Sequence, residues 1–432
     1  MTADKRQKSA RELAWASLIR CEKDSRFVNL EINATLKKND LPEREKSLYT
    51  ALVYASVEKE MLADTVLSPF LKKPVEKLDS EVRAALRLGC VQILFFDKLP
   101  DHAVCDSCVD IIKRSRCRSA SGLVNAVLRG ISADKDRILE KIENAPLSVK
   151  YSLPEWIITL WEKSYGKEKT LEILEGFSHK APLVIHANTL KISPEALLGK
   201  IRESGILCEV HPSHPELIVV EGGAAEDIPG YDEGLFFVQG SASALAVKAL
   251  KLCRGARVFD VCACPGGKSF AAALEMGNEG EIYSFDLHKS KLSLVESGAH
   301  RLGINIIRAG VHDARESFGD YENTADFVIA DVPCSGLGVI SKKPDIRMKK
   351  ESDIERLPEI QAAILENASR LLKKGGRLLY STCNLNRCEN EDITDAFLKK
   401  HTDFVRDKGF PKTYFPTGDI EDGFFTDVIV KV

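Results

Sequence analysis

Apolar positions in the first third of the chain recur every three or four residues, the spacing of a helix face. Leu13, Ser17, Leu18 and Cys21 share one such face while Arg11, Arg20 and Lys23 fall elsewhere. The same spacing predicts helices over Ser47–Leu62, Asp79–Phe96, Ala103–Arg114 and Ser119–Ile131. Leu99-Pro100-Asp101 separates two of them, with Asp101 as the expected N-cap. Strand alternation is absent, so residues 1–145 are expected to form an all-α domain.

Residues 146–235 are mixed. Pro146 and Pro154 mark a boundary, and Trp156, Ile157, Leu160 and Trp161 follow on an amphipathic helix. Strand-like Leu183–His186 and Leu217–Val220 flank a predicted helix at Ser193–Ser204, as in a small α/β subdomain. From residue 236 to 432 the pattern alternates. Arg257–Val261, Glu281–Asp286, Ile304–Arg308, Phe327–Asp331, Arg377–Ser381 and Thr426–Val432 read as strands. Ser269–Glu275, Lys289–Leu302 and Asp353–Leu372 read as helices. This predicts a Rossmann-like α/β domain with a doubly wound, mostly parallel sheet, whose ligands sit at the carboxyl ends of strands.

Composition changes this picture little. The chain has 432 residues, 44% hydrophobic and 29% charged, with a net charge of −3, so no global basic excess advertises nucleic acid. Residues 1–145 carry 26 Lys and Arg against 22 Asp and Glu, a difference ordinary surface variation accounts for. Residues 1–12 are polar and charged, and the longest apolar run, Leu88–Phe96, is too short to span a bilayer. A cytoplasmic protein without membrane partners is expected. Its twelve cysteines then read as free thiols. Cys105 and Cys108, with His102 and Cys117 nearby, lie on a helical pattern and read as packing residues in preference to a zinc site.

Three strand ends carry candidate chemistry. After Val258–Val261 comes Cys262-Ala263-Cys264-Pro265-Gly266-Gly267-Lys268, a turn in which two glycines admit a ligand close to the backbone before a helix start. It matches neither a dinucleotide fingerprint nor a triphosphate loop, and alone it is equally a tight strand–helix turn. Asp286, ending the next strand, can accept from both hydroxyls of a ribose. Asp313, after the third, can accept from an adenine amino group or simply mark the loop. An adenosyl ligand carrying a sulfonium suits such an acidic cleft.

Cys334 and Cys383 end two further strands, in Asp331-Val332-Pro333-Cys334-Ser335-Gly336 and Ser381-Thr382-Cys383. An average cysteine is a small buried apolar residue. A thiol at a ligand-bearing sheet edge can instead attack C6 of a cytosine, making C5 nucleophilic enough to accept a methyl group. Asp331 is placed to meet the Watson–Crick edge of that base, which must leave its stack. Cys388, in a helix-like run, reads as structural.

These motifs resemble the RNA (cytosine-5) methyltransferases, and most closely the Sun/Fmu-type small-subunit rRNA methyltransferase B family. That family carries an N-terminal domain resembling the antitermination factor NusB, and residues 6–131 look like it. Leu78–Gly89 and Gly122–Arg129 are its recognisable pieces. The resemblance implies S-adenosylmethionine gripped by Cys262–Lys268, with Asp286 at its ribose, Asp313 at its adenine, and Asp331 between cofactor and base. It implies Cys383 as the nucleophile, Cys334 in product release, and Lys268 close to base and cofactor. It also implies 16S rRNA or a small-subunit assembly intermediate as partner, a monomer, and Lys342-Lys343-Pro344-Asp345 as a turn touching the RNA backbone.

The chain departs from the family pattern at Cys264, where Ala is usual, and at His186-Ala187-Asn188, where an Arg is usual and an RNA contact is expected to change. Gly240 stands in place of an acidic residue. The cluster Lys113, Arg114, Arg116 and Arg118 reads either as a helix-end charge bias or as a phosphate-contacting patch. Three other readings stay open: the same chemistry on tRNA, an amino-group methyltransferase, and a non-catalytic RNA-binding or antitermination module. Against the second, Asp331-Val332-Pro333-Cys334 lacks the Pro-Pro-aromatic turn typical of amino methylation.

Overall fold

The computed structural model describes residues 8–432 except 25, 180 and 222; residues 1–7 of the expected helical domain lie outside the described residues. The chain forms two compact units. One comprises residues up to Leu160 together with Lys343–Lys349; the other comprises Trp161–Lys342 and Lys350–Val432. The break falls inside the helix Glu155–Ser178.

The first unit is helical. Ser80–Phe95, Asp101–Lys113 and Ser121–Ala133 bury Leu86, Ile93, Val104, Cys105, Cys108, Ile112 and Leu128 in one core. The long predicted helix at Ser47–Leu62 is two, Glu43–Glu58 and Glu60–Leu67. Asp79 caps Ser80–Phe95 by accepting from the Glu81 N–H. Asp101 is not a cap: Pro100 holds that position, and the Asp101 carboxylate accepts from the Ser132 hydroxyl at 2.7 Å. In Pro344–Met348 the buried Arg347 donates to the Tyr151 and Ser152 carbonyls at 2.9 and 3.4 Å.

The second unit holds two sheets. The smaller has strands β1 (Leu183–Ala187), β2 (Cys208–His211), β3 (His214–Val220) and β4 (Phe236–Val238), all antiparallel in the order β2-β3-β1-β4. Leu197 and Ile201 of the helix Pro194–Glu203 pack on it. Strands β2 and β4 carry too few residues to announce themselves in the sequence.

The larger sheet contains β5 (Arg257–Asp260), β6 (Glu281–Asp286), β7 (Ile307–Val311), β8 (Ala325–Asp331), β9 (Leu372–Thr382), β10 (Phe404–Arg406), β11 (Lys412–Tyr414) and β12 (Phe424–Lys431). Their order is β10-β12-β9-β8-β5-β6-β7, with β11 beside β12. From β9 to β7 every pair is parallel; β12 is antiparallel to β9. The third parallel strand begins three residues later than the predicted Ile304–Arg308. The Ile304 N–H instead closes the helix Lys289–Leu302 by donating to the Ala299 carbonyl, so its apolar side chain belongs to the helix end. The chain proceeds from β5 to β6 and β7 on one side, then returns to β8 and β9 on the other. The crevice between β5 and β8 is therefore the topological switch point, where open α/β sheets bind ligands.

Candidate active site

The ends of β4, β5 and β8 meet at this crevice. Cys262, Ala263, Cys264, Pro265, Gly267, Lys268 and Asp331 line a cleft of about 200 Å³ together with Asp260 and Gln239. Gly266 makes the turn possible: its φ is +116°, and a Cβ there would lie 2.4 Å from the Phe270 ring. The Ala263 N–H donates to the Phe285 carbonyl at 2.8 Å, tying the turn to the neighbouring strand.

Asp286 accepts from the Cys264 N–H on one oxygen and the His288 N–H on the other, at 3.3 and 2.9 Å, with lone pairs remaining on both. Cys264 packs beside the core of the parallel sheet. Burial and the adjoining Asp286 carboxylate push its thiol up to about 12, so it stays protonated. Burial also raises Cys262. Asp313 lies beyond β7 and is held on both oxygens by Arg315; this pairing brings its carboxyl down to about 2.

Asp260 is fully buried at the end of β5. Its Oδ2 accepts from the Ser269 hydroxyl at 2.7 Å, while Oδ1 has no hydrogen-bond partner. Burial, reinforced by nearby Asp331, raises its pKa to about 7. An unpartnered buried acceptor, a glycine cradle and a carboxylate with free lone pairs fit a cationic adenosyl ligand such as S-adenosylmethionine.

Asp331 joins this cleft to the thiols. Its Oδ2 accepts from Lys268 Nζ at 2.6 Å and its Oδ1 from the Ser381 hydroxyl at 2.7 Å. Two residues after Ser381, and three after Asp331, stand Cys383 and Cys334, with their sulfurs 3.3 Å apart. Gly338 keeps the loops together: its N–H donates to the Cys383 carbonyl at 3.0 Å, and a Cβ would lie 1.8 Å from the Gly423 carbonyl oxygen. The hydrogen bond to Cys383, followed by burial, raises the Cys334 pKa well above that of a free thiol. Cys388 is exposed on a single 3-10 turn, Arg387–Glu389, and belongs to no longer helix.

Two positions that bear on the expected RNA contacts, His186 and Lys342, are engaged internally, while Lys343 of the same turn is exposed. His186 is buried against Phe237 and donates from Nδ1 to Gln239 Oε1 at 2.8 Å; Gln239 Nε2 donates onward to the Gly267 carbonyl at 3.1 Å. His186 thus supports the glycine turn and has no face for RNA. Lys342 pairs with Glu421 and Asp422 at 3.2 and 2.5 Å, so its charge is satisfied within the protein. Gly240 sits against that pair, and Glu421 caps the helix Ser241–Ala249 by accepting from the Ser241 N–H at 3.0 Å. In the helical unit Arg114 pairs with Glu12, and Arg116 with Asp79 and Glu81, which weakens the cluster there as a phosphate site. Gln239 and Glu421 give no local signal because each acts through a partner distant in the chain, and Asp260 because its partner lies on the following helix. A larger groove of about 520 Å³, lined by Glu172, Glu175, Glu209 and Asp419, contains none of the predicted residues. Among the described residues no helix is long and apolar enough to cross a membrane.

Comparison with known proteins supplies independent findings. Residues 247–427 match the family described as 16S rRNA methyltransferase RsmB/F, residues 8–133 the NusB family, and residues 153–225 an RsmF/B-like ferredoxin-like domain. The chain is 35% identical to the probable ribosomal RNA small subunit methyltransferase B of Bacillus subtilis, covering 94% of this chain and 91% of the relative. It is 30% identical to the protein of the same description from Synechocystis, over 92% and 90%. The crystal structure of PH0851 superposes with a TM-score of 0.81 at 28% identity, covering 99% of this chain and 100% of that one.

Proposed function

Because this chain belongs to the ribosomal RNA small subunit methyltransferase B family, which is S-adenosylmethionine-dependent, we propose that it methylates C5 of a cytosine in 16S rRNA through a covalent cysteine–C6 adduct. The observation that carries this reading is the pair of thiols 3.3 Å apart, joined to the cofactor cleft through Asp331.

Bound S-adenosylmethionine supplies an electrophilic methyl group. The Cys262–Lys268 turn and Asp286 would hold its adenosyl part, and Asp313 would serve the adenine. Asp331, fixed by Lys268 and Ser381, accepts from the exocyclic amino group of the cytosine and sets the ring against the thiols. The Cys383 thiolate forms a bond to C6, and the ring electrons move to C5, which takes the methyl group. A base, water at the open cleft, takes the C5 proton, which restores the C5–C6 double bond and expels Cys383 as a thiolate. Cys334 hydrogen-bonds to the leaving sulfur through its S–H, so the pair ends the cycle with the one proton it held at the start. The target is 16S rRNA, free or within a small-subunit assembly intermediate, and the enzyme acts as a monomer in the cytoplasm.

The test is transfer of labelled methyl from S-adenosylmethionine to unmodified 16S rRNA, with tRNA in parallel, followed by nucleoside analysis and mapping. The expected result is 5-methylcytosine at one rRNA position. Label on tRNA alone would move the target, and a methylated amino group would overturn the chemistry.

A further inference from the structure

We propose that Glu389 is a positioning residue for Cys334, fixing that thiol for the step that frees the methylated RNA. The inference rests on the release role given to Cys334 above.

Cys334 lies in a loop with no regular secondary structure, yet the peptide groups on its two sides are anchored to Glu389 directly and to Gln361, which is itself bonded to Glu389. The Ser335 N–H donates to Glu389 Oε2 at 2.8 Å. Gln361 Nε2 donates to the same oxygen at 2.9 Å and to the Pro333 carbonyl at 3.0 Å. The other carboxylate oxygen accepts from Asn386 Nδ2 at 3.0 Å. Glu389 and Gln361 are both fully buried. Three N–H donors converge on one carboxylate, an arrangement that glutamine cannot reproduce because its amide would face donors with a donor.

The Cys383 loop is held by a different residue. Asn390 accepts from the Thr382 hydroxyl at 2.5 Å and donates to the Asn384 carbonyl at 3.1 Å. Tyr380 reaches Glu389 only through its backbone carbonyl, at 2.6 Å, a contact that survives any side-chain change. Adjacent residues 389 and 390 thus serve one thiol each. The Glu389 charge also opposes ionisation of Cys334, in the same sense as the larger effects of Cys383 and burial.

The experiment uses the full chain with Glu389→Gln. Gln361→Met, which keeps the charge and approximate volume while removing the link to Pro333, is the second variant. Alkylation of Cys334 by iodoacetamide is followed by peptide mass spectrometry across pH without RNA. Covalent enzyme–RNA adduct is then scored on denaturing gels with 16S rRNA and S-adenosylmethionine, beside Cys334→Ala. In Glu389→Gln, Cys334 is expected to react several-fold faster, with its rate profile moved to lower pH. In Gln361→Met it is expected to react faster with a smaller move. Cofactor binding by calorimetry is expected to hold, and adduct to accumulate as in Cys334→Ala.

Unchanged Cys334 alkylation in both variants would overturn the proposal, as would accumulation in Cys334→Ala without accumulation in either of them. A parallel fall in cofactor binding, adduct and turnover in both would mark a merely structural role and equally reject it. Altered alkylation with no adduct in any variant, Cys334→Ala included, would uphold the positioning of Cys334 and discard its release role.

Discussion

The sulfurs of Cys334 and Cys383 lie 3.3 Å apart although 49 positions separate them in the chain. Parallel neighbours β8 and β9 pair Asp331 with Ser381, and each then runs two or three residues further before its thiol. Two thiols at this distance titrate as a pair, and the shared hydrogen bond with burial raises the Cys334 thiol well above the ordinary range.

The two should therefore fail differently. Cys383→Ala is expected to lower methyl transfer by about 10⁴-fold or more and to abolish covalent RNA capture, with cofactor binding intact. Cys334→Ala is expected to form the adduct and stall, giving a band of retained RNA on a denaturing gel. Full turnover by the Cys383 variant would refute the nucleophile assignment.

Asp260 should make cofactor binding proton-linked. Its folded-state pKa, near 7, lies above the unfolded carboxyl value of about 3.9. The stability it contributes is fully present below about pH 4 and is lost as pH rises towards 7. A cationic ligand favours the anion, so binding near pH 7 should release a fraction of a proton. Calorimetry in buffers of different ionisation heat measures this. Asp260→Asn should remove the release; an unchanged value would exclude Asp260 as its source.

Gly240 leaves room for a cap supplied from elsewhere. A Cβ there would stand 2.8 Å from Glu421 Oε1 and 2.9 Å from Asp422 Oδ2. Gly240→Asp adds a third carboxylate where Lys342 already serves two, and should cost about 1–3 kcal/mol. Combining it with Glu421→Ala should recover about 1 kcal/mol, since the new side chain can cap Ser241–Ala249 itself. Denaturant melts of the single and double variants decide the point; additive losses would count against it.

Glu31 should make the helical unit acid-sensitive. Burial alone would raise its pKa, but hydrogen bonds from Arg20, Thr35 and Ser17 outweigh this and hold it low. Its contribution is present above the unfolded value of about 4.3 and is lost as pH falls through the lower folded value. Glu31→Gln should lower stability by about 1–3 kcal/mol at pH 7 and flatten the acid limb of a melting-temperature series.

Elements whose pattern is local are legible along the chain. Glu281–Asp286 and Lys289–Leu302 appear with the boundaries their periodicity predicts, because each buries one face or a continuous apolar run against the same sheet. Candidate chemistry was legible for a related reason: the turn at Cys262–Lys268 and both cysteines follow strands, and a parallel sheet brings strand ends to one edge. What side chains do across long separations was decided only by the tertiary structure. His186 and Lys342 carry the residue types of an RNA contact, yet Gln239 and the Glu421–Asp422 pair engage them internally. Asp260, Glu389 and Gln239 gave no local signal, since a buried polar residue is marked by its partners, and those lie on other elements. Hydrophobic periodicity records which face of an element is covered; the pairing of buried polar groups depends on which elements the fold sets side by side.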